Sequence, residues 1–245
     1  MKNSRAPRCA VAAAAVMLFF GMPVHGADFF YMDHDLLTTR YRGGDGPLVI
    51  SGDIEAGDYA HLLEKIGADR NRFMTHNEII LASTDGDVGE ALKIARLLRS
   101  LFTLVSVGPQ TGRCVDACFL IYGAAAERVT GGDHLLGMRS SPPARAALLS
   151  DEAPSELQAT MSRLTAADVY WLSTRDEQAL GTRAPFFRRH LVTRCGWDEA
   201  LERDVNSGRR PFSDATKQVA CRTRMTRAAA YQALDLASKA RPTSR

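Results

Sequence analysis

The stretch IILASTDGDVGEALKIARLL, residues 79–98, decides the fold: a short β-branched apolar run, a polar turn around Gly86, then apolar positions at helical spacing. Strand, turn and helix at these lengths form the repeating unit of parallel sheets with crossover helices. Val88, Leu92, Ala95 and Leu98 make the expected apolar stripe of that helix. A second stretch, CVDACFLIYGAAAER at 114–128, opens another helix, expected over 117–126, and HLLGMRSSPP follows at 134–143.

Working outward, LVISGDI at 48–54 reads as a strand after the Gly43-Gly44-Asp45-Gly46-Pro47 turn cluster. Tyr59, Leu62, Leu63 and Ile66 recur at three and four, as on one helix face, and 78–82 and 104–107 are two further strands. In parallel α/β sheets, function gathers beyond the strand C-terminal ends. Those ends carry Ser51-Gly52-Asp53, the turn 83–87 and the loop 108–116, so three turns are expected to converge. Beyond Ser140 the pattern becomes helical, with a Pro142-Pro143 loop, helices over 154–164 and near 168–173, and a cysteine-containing C-terminal section.

The N-terminus reads as a secretory leader: Lys2, Arg5 and Arg8 precede an apolar run at 10–20, and Val24-His25-Gly26 offers a small-residue cleavage site before Ala27. A membrane anchor needs about 20 apolar residues, and this run ends earlier, at Gly21-Met22-Pro23. The expected organisation is a signal peptide at 1–26, an α/β core at 27–145, a helical C-terminal extension at 146–240 and a disordered tail at 241–245. No membrane span remains after cleavage, and the location is periplasmic or secreted. The formal charge of +3 includes the three basic residues of the leader, so the rest is formally neutral. The dense basic residues of 183–210 are interleaved with Asp and Glu, which gives no support for nucleic-acid binding.

Taken together, Ile50-Ser51-Gly52-Asp53-Ile54, Leu81-Ala82-Ser83 before Gly86-Asp87-Val88, Cys114-Val115-Asp116-Ala117-Cys118-Phe119 and Leu136-Gly137-Met138-Arg139 resemble the ClpP-like periplasmic proteins of the ClpP/crotonase fold. The match covers roughly residues 48–143. It implies a spiral of parallel strands and crossover helices, and association into trimers or rings. It also implies a serine at the start of a helix and a histidine at the end of a later strand. Here Asp116 stands in the place of the serine and Arg139 in that of the histidine. The oxyanion-type turn, Asp85-Gly86-Asp87 together with Ala117, has one glycine where two are common.

Arginine stays protonated at any physiological pH and takes no proton from an alcohol. Hydrolysis by the usual triad is therefore not expected. Three readings of Asp116 stand side by side. It caps the helix that begins after it; it pairs with Arg139 through a bidentate contact in the old active site; or it works as a crotonase-type acid or base. His134 reads as a surface histidine, and Asp168 and Asp176 are downstream acids with no assigned role. Tyr170, Trp171 and Trp197 read as core or interface anchors, and Arg188-Arg189-His190 as an exposed helix face.

Cys9 leaves with the leader, and four cysteines remain for an oxidising compartment, with three possible connectivities. Cys114 can fold back to Cys118 if their Cα atoms approach within about 7 Å, and Cys195 with Cys221 would then staple the C-terminal segment. Cys114 and Cys118 lack zinc spacing, and Asp33-His34-Asp35 reads as a solvated triplet, so no metal is implied. Nothing marks a coenzyme A site or another cofactor. The function expected is that of a degenerate serine-peptidase homologue that binds an unidentified protein or peptide; the alternative is a residual hydrolase or acid/base catalyst using Asp116.

Overall fold

The computed structural model describes residues 26–33, 45–108, 112–132, 135–139, 154–165 and 168–239. Residues 1–25, His34, Asp35, His134, Ser140, Ser141, Pro142-Pro143 and the tail 241–245 lie outside the described residues. Four strands run parallel, β2 (Asp45–Ser51), β3 (Glu78–Ala82), β4 (Leu104–Val107) and β6 (Glu127–Thr130), and β1 (Asp28–Asp33) pairs antiparallel with β2 at one edge. Leu48, Ile79 and Val105 stand side by side in register and are fully buried. A second sheet of order β5-β7-β8 joins β5 (Cys114–Val115), β7 (Leu136–Met138) and β8 (Tyr170–Trp171).

Helices α1 (Asp58–Ala68), α2 (Arg70–His76), α3 (Val88–Ser100) and α4 (Ala117–Ala124) make the crossovers. This is an α/β arrangement of parallel strands and crossover helices, as the strand–turn–helix patterns led one to expect. The buried face of α3 is Ala91, Ile94, Ala95, Leu97 and Leu98, whereas Val88 and Leu92 are only half-buried. Glu90 of the same helix turns inward: its Oε1 accepts the Gly57 and Tyr59 amides at 3.1 and 2.8 Å and its Oε2 pairs with Lys93 at 2.7 Å. This polar side chain is buried because both of its carboxylate oxygens are hydrogen-bonded.

The C-terminal part is mostly helical, with α5 (Ser155–Met161), α6 (Thr174–Leu180), α7 (Pro185–Cys195), α8 (Glu199–Asn206) and α9 (Thr216–Lys239). The helix expected near 168–173 is a correction. Tyr170–Trp171 is strand β8, paired with Gly137 and Met138, and the helix starts only after Ser173, which forms a capping box with Asp176. Gly137 makes this possible, since an added Cβ there would lie 2.9 Å from the Trp171 ring. An aromatic pair with a flat, open partner favours the sheet over the helix.

Two features fasten this C-terminal part to the sheet. Ala126, Phe187, Leu191 and Trp197 form a second apolar cluster, beside which Glu127 takes Arg183 Nε at 2.9 Å and also Arg222, while Arg183 grips Glu202 with its fork. Burial works against the Arg183 charge, but the hydrogen bonds from Glu202 and Glu127 outweigh it and raise its pKa. The Cys195–Cys221 disulfide, Cα–Cα 5.6 Å across a separation of 26 residues, joins α7 to α9; such a loop closure contributes about 2–4 kcal/mol. Arg128, 3% exposed, donates to the Gly123 and Leu180 carbonyls, and burial pulls its pKa down to about 10. Among the described residues no helix is long and apolar enough to cross a membrane.

Candidate functional site

The turns beyond β2 and β3 and the loop before α4 meet at one end of the sheet, joined by the end of β7. Ile54 donates to Asp85 O at 3.1 Å and its carbonyl accepts the Asp87 amide at 2.6 Å. Val115 donates to Thr84 O at 3.0 Å, Asp116 to Gly137 O at 3.3 Å, and Thr84 Oγ1 to Asp53 Oδ1 at 2.6 Å. The convergence is thus built from backbone bonds, which leaves little freedom to the side chains it presents.

Asp116 stands between β5 and α4 with φ 44° and ψ −100°. A non-glycine residue held there costs on the order of 1–3 kcal/mol and persists only where its surroundings over-determine it. They do: the Cys114–Cys118 disulfide, Cα–Cα 5.1 Å, straddles the position, and the amide and carbonyl of Asp116 are bonded to Gly137 and Leu120. This sharp strand-to-helix turn is the geometry in which hydrolases of another fold expose a nucleophile. The conformation also corrects the capping reading. Asp116 occupies the N-cap position of α4, yet its carboxylate makes no capping bond to the helix.

The carboxylate turns to Arg139 instead. Asp116 Oδ1 accepts the Arg139 amide at 2.5 Å and Oδ2 accepts Arg139 Nη1 at 3.1 Å. The same Nη1 donates to Asp85 Oδ2 at 2.8 Å, and Asp85 Oδ1 accepts the Gly86 amide at 2.9 Å. A continuous chain therefore runs from Asp116 through Arg139 and Asp85 to Gly86. The Arg139 pKa is raised, first by the hydrogen bond to Asp85, against the pull of burial, and further by the Asp116 charge. Asp116 is 12% exposed while Arg139 and Asp85 are 37% and 38% exposed, so solvent screens most of the pairing energy. What the cluster fixes is geometry.

The amides of Gly86 and Asp87, in the turn after β3, are committed in the same way. Gly86 N–H is held by Asp85, and Asp87 N–H by Ile54 O, while Asp87 Oδ1 caps α3 through the Glu90 amide at 2.6 Å. Ala117 brings the first amide of α4, which has no partner within the helix, and it is fully buried. Among the described residues no hydroxyl or imidazole hydrogen-bonds to the Asp116, Asp85 or Arg139 side chains. Ser83 Oγ donates to the Asp85 carbonyl at 3.2 Å and Ser106 Oγ to Glu78 at 3.1 Å. Asp168 closes a turn on Thr165, and Asp176 accepts Tyr170 Oη at 2.9 Å and the Ser173 amide at 2.8 Å. Both acids have local partners of their own.

Asp85 is the member that sequence reasoning missed as a partner; its place in the turn read as oxyanion-type was the only available signal. Trp171 lies over Gly137 and carries the Arg113 guanidinium 4.7 Å above its ring. Trp197 is in the second apolar cluster, with its Nε1 on Glu202 at 3.0 Å. Arg188 pairs with Glu199 at 2.8 Å, and the His190 ring lies 5.1 Å from that of Phe102. No group of three or more His, Cys, Asp or Glu suited to a metal occurs among the described residues.

No protein-family model matches the chain, and no curated protein matches it. Among solved structures it is similar to a mutant of the 1510-N membrane-bound stomatin-specific protease, at 12% identity, covering 61% of this chain and 83% of that one, TM-score 0.39. It is similar to a mutant of ClpP1 from Listeria monocytogenes, at 17% identity over 56% and 88% of the two chains, TM-score 0.36. A third is an enoyl-CoA hydratase from Mycobacterium smegmatis, at 14% identity over 72% and 86%, TM-score 0.39. These neighbours have ClpP and crotonase folds. At identities this low none of their activities passes to this chain.

Proposed function

We propose that this is an exported ClpP-like protein whose old catalytic centre no longer hydrolyses peptides and instead forms part of a rigid surface for a protein or peptide partner. The observation that carries the reading is the chain Asp116–Arg139–Asp85–Gly86. A serine hydrolase needs an alcohol, a base of near-neutral pKa and free amide donors for the oxyanion. Here the first two places hold a carboxylate and a permanent cation, and an internal carboxylate sits on the Gly86 amide. The two disulfides, Cys114–Cys118 and Cys195–Cys221, support a periplasmic or secreted location. Homo-oligomer formation is part of the proposal by resemblance.

A second reading, a residual hydrolase or acid/base catalyst using Asp116, draws support from the strained elbow at that residue. An activated-serine probe applied to the purified protein separates the hydrolase form of it from the first. No serine is expected to be labelled. Covalent modification of Ser106, Ser140, Ser141 or any other serine, prevented by prior unfolding, would mean that a working nucleophile exists and that the site lies elsewhere.

A further inference from the structure

The leader expected at residues 1–26 would be cut before Ala27, and in the folded protein the Ala27 nitrogen is not at the surface. Ala27 is 7% exposed, and its nitrogen donates to Asp58 Oδ2 at 3.0 Å. Asp58, the first residue of α1, is itself 1% exposed. Its Oδ2 also takes the Glu55 amide at 2.7 Å. Among the described residues the only basic side chain in ion-pair range is His61, whose Nδ1 stands 3.8 Å from Oδ1 with its side chain 68% exposed. The neighbouring charges do not supply another. Lys93 of α3 is held by Glu90 at 2.7 Å, and the chain neighbours Glu55 and Asp28 are acidic. A buried carboxylate of this kind is costly without a counter-charge.

Gly26 shows where the counter-charge would come from. It lies against the same carboxylate, and a Cβ added to it would be 2.5 Å from Asp58 Oδ1. We propose that Asp58 is a receptor for the new N-terminus: cleavage of the Gly26–Ala27 bond creates an α-ammonium on Ala27 that forms a buried ion pair with Asp58. Water, delivered by a leader-specific endopeptidase, adds across the amide. The Gly26 carboxylate departs with the leader, and the Ala27 nitrogen keeps its electron pair and is protonated. One N–H of the ammonium already points at Oδ2, and the departure of Gly26 opens Oδ1 to a second. The terminus stays in place because the Ala27 side chain is in the core cluster and Asp28 is in register with Ser51. Removal of the leader thereby fastens β1 to α1, and the uncut chain keeps only a neutral amide bond at that point. This inference rests on the leader reading, not on the state of the Asp116 site.

The sign of the pH dependence follows. An α-amine has an unfolded pKa of about 7.7–8.0, and pairing with Asp58 raises it in the folded state. The stabilisation is fully present below the unfolded value and is lost as pH rises through the folded one. The test exports the full-length protein with its own leader, maps the N-terminus, and follows acylation of the α-amine and the unfolding midpoint from about pH 6 to about pH 10, with Asp58→Asn alongside. The mature protein is expected to begin at Ala27, with its α-amine acylated at least about tenfold more slowly folded than unfolded. Asp58→Asn is expected to lower the midpoint by roughly 5–10 °C near neutrality, with the gap closing at the alkaline end. A terminus at another residue, an Ala27 amine equally reactive folded and unfolded, or a gap constant across the range would overturn the proposal. Should Asp58→Asn not fold, the terminus and acylation measured on the unsubstituted protein decide.

Discussion

Gly86→Ala is expected to destabilise the protein by at least about 4 kcal/mol, a large part of the 5–15 kcal/mol that holds a typical domain folded. The added methyl would stand 2.3 Å from Ile54 O, 2.4 Å from Ile54 N and 2.7 Å from Ile54 Cα. All three are backbone atoms, and they cannot retreat. Ile54 is bridged to Gly86, donates to Asp85 O and accepts from Asp87 N. The φ of 140° at Gly86 is itself unfavourable for any residue with a side chain. Urea unfolding of the variant checks this; a loss below about 1 kcal/mol would show that the turn between β3 and α3 is not held as described.

Glu127→Ala is expected to cost about 2–4 kcal/mol and to loosen α7 and α9 from the sheet. Its carboxylate, 10% exposed, is shared by Arg183 and Arg222, which reach it from the C-terminal part of the chain. Without it Arg183, 16% exposed, keeps Glu202 and the Trp197 ring, and Arg222 loses its partner on β6. Burial is what makes this loss larger than that of a surface pair, for which the usual value is at most about 1 kcal/mol. Hydrogen exchange in α7 and α9, measured beside denaturant unfolding, would report the loosening; unchanged protection of both helices would argue that the apolar cluster and the disulfide suffice.

The strand–turn–helix units were legible because their apolar periods of two and of three to four are strong, as at 79–98. Other elements lacked such a signal. β1 is a short edge strand whose place is fixed by its partner β2, and α2 is a single polar stretch with only Phe73 and Met74 buried. The Tyr170–Trp171 strand depends on Gly137, which is 34 positions away from Trp171 in the sequence. Within the site, Asp116 and Arg139 are both singled out by the motifs that carry the resemblance. What the Asp116 carboxylate touches is decided by a positive φ that composition does not encode, and so the capping preference of aspartate pointed the wrong way. The Glu127 network joins residues up to 95 positions apart and has no local motif at all.

The proposal that Asp116 and Arg139 occupy the places of a nucleophile and its base is tested most directly by turnover of a small activated ester by Asp116→Ser beside the unsubstituted protein. An alcohol placed on the elbow would face a guanidinium that accepts no proton, with the Gly86 amide still taken by Asp85. Neither protein is expected to exceed the rate of the unfolded chain. Catalytic turnover by the unsubstituted protein, or its appearance on introducing the serine alone, would contradict it.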